Sequence, residues 1–324
     1  MRQSFRAVAA ILIFVVLAAQ QPAGAWGVEG HTWINRVAAE ALPKTMPPFL
    51  RRAAGRLAYL GPEPDRWRNA VSEPQLKYSQ EPDHFFNSES LPADFGPLPD
   101  GRYRFIQRLY EKRAAALQAG ADKKEADELL PENVGFQPYI VMEVYGRLKA
   151  AFREYRHIKA AGQKTFGVEQ NIILYAGWLG HYVADGSQPL HVTVKYDGWT
   201  GPNPSGYRTK KGIHWDYESR FVKENITPRE FAPLVKTPVQ LKEPFLDYQN
   251  YIKESLAQVE PLYQLEKAGA LEGRGSEEAR QFTRQRLAAG AQMLANLWYT
   301  AWMESAVDPP DPFAPKPAAA GLKK

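Results

Sequence analysis

Residues 168–191, VEQNIILYAGWLGHYVADGSQPLH, decide how this chain folds and where its chemistry lies. Apolar residues recur here at helical spacing, which predicts a helix over Val168–Ala184. His181 and Asp185 are four residues apart, so both side chains project from one face if the helix includes them. A proline then closes the segment and lets His191 return from the following turn. The stretch therefore predicts a long helix whose end presents imidazole and carboxylate groups together.

Helical periodicity is the dominant pattern in the rest of the chain as well. Alternating strand patterns are scarce, and clusters of proline and glycine separate the periodic segments. The sequence shows no internal repeat and no second composition class. It thus predicts an all-α fold, with a single multi-helix domain over residues 26–306 and long loops. The predicted helices are Thr32–Leu42, Phe49–Tyr59, Arg104–Gln118, Pro138–Ala160, Val168–Ala184, Ile213–Glu224, Leu246–Gln264 and Ser276–Met303.

The composition narrows the class of protein. Of the 324 residues, 44% are hydrophobic and none is cysteine. This hydrophobic fraction suffices for a buried core and excludes a mainly disordered chain. The lack of cysteine excludes disulfide scaffolds, thiolate metal sites and cysteine nucleophiles. The 41 basic residues against 36 acidic ones give a mild positive charge. Such a charge suits a polyanionic substrate or an anionic lipid surface but specifies neither.

Residues 1–25 have the pattern of a secretory signal peptide. Two arginines precede the apolar run Ala7–Ala19, and an Ala-Gly-Ala sequence follows as a cleavage signal. The run is shorter than the about 20 apolar residues that a membrane helix needs. We therefore expect export to the periplasm or the exterior, a mature N-terminus at Trp26, and no stable membrane anchor after cleavage. The Pro- and Ala-rich residues 307–324 are expected to form a disordered tail.

A second histidine–carboxylate pair, His214 and Glu218, follows the first after a loop rich in proline and glycine. Single pairs at this spacing are common surface hydrogen bonds, but two pairs together with His191 form a ligand set. Imidazole and carboxylate ligands without thiolate make zinc the leading candidate. By contrast, His157 follows a charged helical stretch and is expected to be a solvated surface histidine.

Cleavage before Trp26 would add a further ligand. The free α-amino group has a pKa of about 8, so a metal can deprotonate it easily. Its nitrogen and the carbonyl oxygen of Trp26 can chelate one ion in a five-membered ring. His31 lies five residues later in the sequence, close enough for the chain to fold back onto the same ion.

At these residues the chain resembles the superfamily that holds zinc-dependent phospholipase C and the S1/P1 nucleases. The matching elements are Trp-Gly-x-x-Gly-His31, His181-x3-Asp185-x5-His191 and His214-x3-Glu218. The resemblance implies the fold of that superfamily and three zinc ions. The implied ligands are Asp65, His84, His181 and Asp185 for one ion; Trp26, His31 and the other oxygen of Asp185 for a second; and His191, His214 and Glu218 for the third.

A second aspartate, Asp83, competes with Asp65 for the position of metal ligand. Asp83 stands directly before His84 and, from the sequence alone, is an alternative ligand. The resemblance favours Asp65, because family members place this aspartate in a loop well upstream of the histidine. The gap between Asp65 and His84 is nevertheless wider than the family pattern. Asp65 is also the candidate catalytic carboxylate, as a base or as a group that orients water.

The implied activity is phosphodiester hydrolysis, because clustered zinc ions acidify water and neutralise phosphoryl oxygens. Two substrates remain open. Glu218 in the last ligand position is similar to the phospholipase C branch and implies phospholipid head groups. Phe85 directly after His84 is similar to the nucleases and implies single-stranded nucleic acid, because an aromatic ring there stacks on a base. Packing of Phe85 in the core is the alternative interpretation.

Neither substrate pocket of the superfamily is reproduced in full. Asn87 stands where the nuclease pattern favours an acidic residue, and Arg66 stands where a choline pocket has an aromatic ring. We take Phe85 and Arg66 as the candidate substrate-binding residues. The first expectation is a phospholipase C-like hydrolase, the second is a nuclease, and the third is a secreted zinc-binding module without turnover. The sequence indicates no protein partner.

Overall fold

The computed structural model describes residues 26–309. Within this range the chain forms sixteen α-helices, joined by loops and by shorter helices of other types. Their bounds are α1 Gly27–Glu40, α2 Pro48–Arg52, α3 Ala54–Leu60, α4 Glu63–Arg66, α5 Pro74–Gln80, α6 Arg102–Gln118, α7 Lys123–Asp127, α8 Pro131–Val134, α9 Gln137–Ala160, α10 Phe166–Asp185, α11 Ile213–Trp215, α12 Val222–Asn225, α13 Pro228–Phe231, α14 Pro244–Leu256, α15 Val259–Lys267 and α16 Glu277–Glu304.

Shorter helices of other types occupy several turns. No β-strand occurs between residues 26 and 309, where one isolated bridge joins Tyr196 and Gly198. The predicted all-α fold class is therefore confirmed. The 3₁₀ helices are Glu81–His84, Ser88–Ser90, Pro189–His191 and Ala232–Leu234, and the π-helix is Asp216–Phe221.

Helix α10 lies at the centre of the fold. It packs against α9, α3, α16 and α1, and its last seven residues are all buried. A buried amide ties three of these helices together, because Asn35 Nδ2 on α1 donates to Leu57 O at 2.9 Å and to Gly177 O at 3.0 Å. A Cβ at Gly180 would lie 1.9 Å from Asn35 Oδ1. Only glycine therefore lets α1 approach α10 this closely.

Three predicted helices differ from the observed ones. The predicted helix Phe49–Tyr59 is divided at Ala53, whose N–H donates to both Phe49 O and Leu50 O and tightens the turn. The predicted helix Leu246–Gln264 is divided between α14 and α15. The segment predicted as Ile213–Glu224 stays helical but widens to a π-helix at its centre. Hydrophobic periodicity does not reveal such breaks and local changes of winding, because the same face of the segment remains apolar.

Two predicted segments fall outside the described range. The signal peptide, residues 1–25, is not described, and only the first three residues of the tail 307–324 are. Export and the domain boundaries therefore remain predictions. In the described part of the chain, none of the helices combines the length and apolar character needed to span a bilayer.

Candidate metal centre

Three groups of histidine and carboxylate side chains converge around the end of α10. Within each group the candidate ligand atoms all lie within 4.8 Å of one another, so each group can hold a metal ion. All their residues are buried except Asp65, which is partly buried. The groups are His31, His181 and Asp185; Asp65, His84 and His181; and His191, His214 and Glu218.

Helix α10 supplies the two residues that join the first two groups. His181 and Asp185 lie one turn apart on α10, with 3.4 Å between His181 Nε2 and Asp185 Oδ2. On one side, His31 Nε2 lies 3.3 Å from Asp185 Oδ1. On the other, His84 Nδ1 lies 3.2 Å from Asp185 Oδ2. The two oxygens of Asp185 thus face different partners, which is the arrangement that a bridging carboxylate requires.

The two candidate aspartate ligands, Asp65 and Asp83, lie in different surroundings. Asp65 Oδ1 lies 3.8 Å from both His84 Nδ1 and His181 Nε2. Asp83 is buried elsewhere, 2.6 Å from the guanidinium of Arg102. Burial raises the pKa of Asp83 to about 6 despite that pairing. The geometry therefore brings Asp65 to the ligand cluster and turns Asp83 away from it.

The third group comes from a short stretch of chain. His191 ends the 3₁₀ helix after α10, His214 lies in α11, and Glu218 lies in the π-helix. Glu218 Oε2 is 2.9 Å from His214 Nε2 and 3.5 Å from His191 Nε2. π-Helical turns are rare and often occur at functional sites, and this one carries a candidate ligand.

Backbone carbonyls orient three of the imidazole rings. Nδ1 of His181 donates to Gly61 O at 2.8 Å, Nδ1 of His191 to His84 O at 2.8 Å, and Nδ1 of His214 to Tyr196 O at 3.0 Å. A carbonyl can only accept, so Nδ1 carries the proton in each ring. In its neutral form, each ring therefore turns a bare Nε2 lone pair towards the cluster. Metal-binding histidines are held in this way.

Two of these Nε2 atoms lie close together, where a positive charge between them is favourable. His191 Nε2 and His214 Nε2 are only 3.0 Å apart, and both carry a lone pair when the rings are neutral. Beside them, Glu218 Oε1 is buried and accepts no hydrogen bond from the described residues. An unpaired buried carboxylate oxygen is costly. A cation seated among these three side chains would bind both nitrogens and balance the charge of the buried carboxylate.

The electrostatics of the cluster favour a cation as well. Burial raises the pKa of Asp185 well above its usual range and also raises the pKa of Asp65, although Arg68 opposes the shift at Asp65. Burial lowers the pKa values of His84 and His181 well below their usual value. His214 is the exception, because the Glu218 carboxylate raises the pKa of this buried ring. A cation would stabilise the poorly solvated carboxylate charges, and neutral imidazoles such as those of His84 and His181 are the form that binds metals.

The spacing of the ligand atoms fits a tetrahedral ion. Two atoms bound to one zinc at about 2.0–2.1 Å lie about 3.3 Å apart when the angle between them is tetrahedral. The distances in the third group, 2.9, 3.0 and 3.5 Å, bracket this value. The donor set, imidazole and carboxylate without thiolate, is compatible with zinc, as it is with other divalent metals that bind imidazole. The residues present therefore fit zinc, the metal that the sequence predicts.

Trp26 lies between two ligand-bearing segments. Its side chain is completely buried, and its φ of 49° is left-handed. Its Nε1 donates to Ala184 O and to Ser187 Oγ, both at 2.8 Å, and its ring centroid is 5.6 Å from that of Tyr217. The residue thus contacts the end of α10 and the π-helix at once. Metal binding by its amine and carbonyl stays a prediction.

A cleft of about 530 Å³ opens beside the cluster. It gives access to two of the ligand groups, because His84, His191 and His214 line it. The other walls are polar and aromatic. They include Arg68, Tyr78, Glu81, Phe85, Asn87, Glu132, Asn133, Tyr196 and Asp197.

The two candidate substrate-binding residues have different positions. Phe85 lines the cleft, whereas its neighbour Phe86 is buried in the core beside Phe105. Arg66 is not among the cleft residues: it pairs with Glu63, and its guanidinium lies 4.4 Å from the ring centroid of Tyr59. The structure thus brings Phe85 to the cleft and places Arg66 on the surface nearby.

Sequence reasoning missed several side chains of the cleft, of which Arg68, Tyr78 and Tyr196 bear most on substrate binding. Arg68 lines the cleft and lies 3.1 Å from Asp65 and 3.3 Å from Glu81. Its spacing of three residues from Asp65 was the available signal, because side chains so spaced meet on one helical turn. The other two, Tyr78 and Tyr196, come from separate segments, and no sequence pattern indicated them. His157, by contrast, is exposed as predicted and lies 3.0 Å from Asp308.

Comparisons with known proteins identify no family for this chain. No protein-family model matches it, and no curated protein does.

Proposed function

We propose that this protein is an exported, zinc-dependent phosphodiester hydrolase of the phospholipase C type, with the fold of the phospholipase C and P1 nuclease superfamily. One observation carries the proposal: three adjoining groups of buried imidazole and carboxylate ligands, two of them joined through His181 and Asp185, lie beside an open cleft. Structural zinc sites are usually closed by four protein ligands. The group of His191, His214 and Glu218, whose two histidines line the cleft, leaves a coordination position for water or substrate.

Each part of the site has a chemical task in this proposal. Zinc ions bound at the three groups would supply Lewis-acid stabilisation of phosphoryl oxygens and a lower pKa for water. Asp65, with a carboxylate oxygen 3.8 Å from two ligand histidines, orients the attacking water and accepts its proton. The guanidinium of Arg68 at the cleft wall binds a phosphoryl oxygen by charge-assisted hydrogen bonds.

Phospholipid head groups are the first candidate substrate, on the resemblance of the Glu218 position to the phospholipase C branch. A specific observation also favours single-stranded nucleic acid as the second. Phe85 shares the cleft with Tyr78 and Tyr196, whose exposed fractions are 74% and 50%. Exposed aromatic rings along a cleft can stack on bases, at about 1–3 kcal/mol per base.

The test begins with the mature protein, starting at Trp26. After dialysis against a chelator, hydrolysis of bis(4-nitrophenyl) phosphate should be lost, and zinc should restore it. The reloaded protein is then offered phosphatidylcholine vesicles and single-stranded DNA side by side. Release of phosphocholine supports the first substrate, and nucleotide release supports the second. Tight binding of zinc without hydrolysis of any of the three would instead support a non-catalytic zinc-binding module.

A further inference from the structure

The turn that follows Asp185 contains two polar side chains with unusual surroundings. Ser187 and Gln188 are both completely buried. Buried polar groups almost always have hydrogen-bond partners, and here the partners lie on two different ligand-bearing segments. Ser187 contacts Trp26, which directly precedes α1, and Gln188 contacts Glu218 in the π-helix. One short turn therefore connects three parts of the candidate metal centre.

Ser187 holds the start of α1 against the end of α10. Its Oγ donates to Ala184 O at 2.8 Å and accepts the Nε1 hydrogen of Trp26 at 2.8 Å. Nε1 of Trp26 also donates to Ala184 O at 2.8 Å. Ala184 directly precedes Asp185, and Trp26 directly precedes the helix that carries His31. This set of hydrogen bonds therefore joins the segments that carry His31 and Asp185, whose nearest ligand atoms are 3.3 Å apart.

Close packing leaves this arrangement little freedom. A Cβ at Gly30 would lie 2.6 Å from Cβ of Trp26, and a Cβ at Gly290 would lie 2.9 Å from Oγ of Ser187. Real Cβ atoms do not approach other atoms at these distances without a shift. Glycine at both positions thus lets α1 and α16 press Trp26 and Ser187 together.

Gln188 acts on the third ligand group. Its Nε2 donates to Glu218 Oε2 at 3.1 Å, and its Oε1 accepts the N–H of Leu190 at 2.7 Å. The second bond orients the amide, so its NH₂ group must face Glu218. Oε2 of Glu218 is thereby held near the two imidazoles, while Oε1 remains without a hydrogen bond from the described residues.

We propose that Ser187 and Gln188 are positioning residues that act on different metal ions: Ser187 aligns His31 with Asp185, and Gln188 orients Glu218 towards His191 and His214. The inference rests on the proposed metal-dependent function, because it assigns the two residues to metal affinity. Neither residue belongs to the three ligand groups. Each acts through a side chain that does.

Removal of such hydrogen bonds around metal ligands typically weakens metal binding about 10–100-fold. Gln188→Met keeps the length of the side chain and removes its donor, so the third group should bind zinc about 10–100-fold more weakly. Trp26→Phe removes both indole hydrogen bonds but keeps the α-amino group, and Ser187→Ala removes one of them. Both should weaken the ion between His31 and Asp185, and Trp26→Phe should have the larger effect.

The deciding experiment is a pair of crossed double-mutant cycles. Zinc bound per chain is measured at buffered free-zinc concentrations, for each variant alone and in the backgrounds His31→Gln and Glu218→Gln. Gln188→Met should weaken binding further in His31→Gln but not in Glu218→Gln. Ser187→Ala should show the reverse pattern, because its partner ligand is His31. Non-additivity of this kind identifies residues that act through one another.

Two control variants measure the cost of disturbing a buried polar group elsewhere. Ser255→Ala removes a buried hydroxyl that donates to Tyr251 O, and Asn296→Leu removes a buried amide that accepts the N–H of Val239. Both should keep wild-type zinc binding. The melting temperature of each zinc-free variant shows whether its fold is intact.

The outcomes separate this inference from the proposed function. If the wild-type protein binds zinc and hydrolyses a phosphodiester, but Gln188→Met and Ser187→Ala bind zinc equally well, only the positioning roles are wrong. Equal losses in both ligand backgrounds would indicate general destabilisation and overturn the inference. A wild-type protein that binds no zinc would overturn the proposed function and this inference together.

Discussion

The two ligand groups that share His181 lie beside the group of His191, His214 and Glu218, with 4.0 Å between Asp185 Oδ2 and His191 Nδ1. The two regions are assembled differently. The shared pair of groups draws ligands from α1, from the segment around α4 and the following 3₁₀ helix, and from α10. The third group uses only the chain from His191 to Glu218. One region depends on long-range packing of helices, and the other on one loop and two adjoining turns.

This difference predicts how strongly the ions depend on one another. Where ligands are held by long-range packing and shared between groups, one substitution should weaken zinc binding in both groups. A locally built group should fail alone. Substitutions in the two regions therefore test whether the structure describes one cooperative centre or separate sites.

The largest effect is expected for Asp185→Asn. A neutral amide is a poor bridge between two dications, so zinc content should fall by more than one ion per chain. Metal binding contributes to folding, so the melting temperature should fall too. Loss of metal assistance costs several kcal/mol, which lowers the hydrolysis rate at least about 100-fold. Elemental analysis, thermal unfolding and phosphodiester hydrolysis measure the three effects.

Glu218→Gln is the matched control in the other region. It also neutralises a buried ligand carboxylate, but it should remove one ion and leave the shared pair filled. If Asp185→Asn also loses one ion or fewer, Asp185 serves a single metal, and the contrast between the two regions is wrong.

The sequence predicted the local parts of this centre better than the distant ones. Spacing alone placed His181 with Asp185, and His214 with Glu218, on helical turns. It could not place Asp65 against His84, because only tertiary packing brings the segment around α4 to α10; the resemblance supplied that pairing. The sequence also could not exclude Asp83 as the ligand, because the contact between Asp83 and Arg102 joins segments that are distant in the chain. Arg68, Tyr78 and Tyr196 line the cleft only because three separate segments meet there.

The next effect is expected only in the region built by long-range packing of helices, at the ion next to His31. One extra alanine before Trp26 converts its α-amine into an amide, which is a poor metal ligand at neutral pH. The ion next to His31 should then bind at least about 10-fold more weakly, as for lost ligand-orienting contacts. The third group should keep its ion. Zinc titrations of proteins with and without the extra residue measure this difference. Unchanged zinc content and unchanged turnover would show that the amine is not a ligand.

A smaller effect is expected at the cleft. Arg68→Gln removes a charged donor for a phosphoryl oxygen, and such a hydrogen bond contributes about 1.5 kcal/mol or more. The value of kcat/KM should fall about 10-fold when it is measured at zinc concentrations that keep all sites filled, because Arg68 also contacts the candidate ligand Asp65 at 3.1 Å.

Arg66→Gln, two residues away, provides the matched comparison for this effect. Its guanidinium pairs with Glu63 and lies over Tyr59 rather than at the cleft, so its kcat/KM should remain near the wild-type value. A 10-fold loss at Arg66 with no loss at Arg68 would reverse the assignment and return the substrate role to Arg66.

The smallest effect should come from the one histidine that belongs to neither region. His157 lies on α9, and its Nε2 is 3.0 Å from Asp308 Oδ1, with 56% and 66% of the two side chains exposed. Exposed ion pairs of this kind contribute little, so His157→Ala should change stability by about 0.5 kcal/mol or less. Zinc content and hydrolysis should equal those of the wild type, since the three ligand groups account for the other five histidines. If His157→Ala lost an ion, zinc would be binding outside both regions, and ion counts per chain would no longer report on the centre alone.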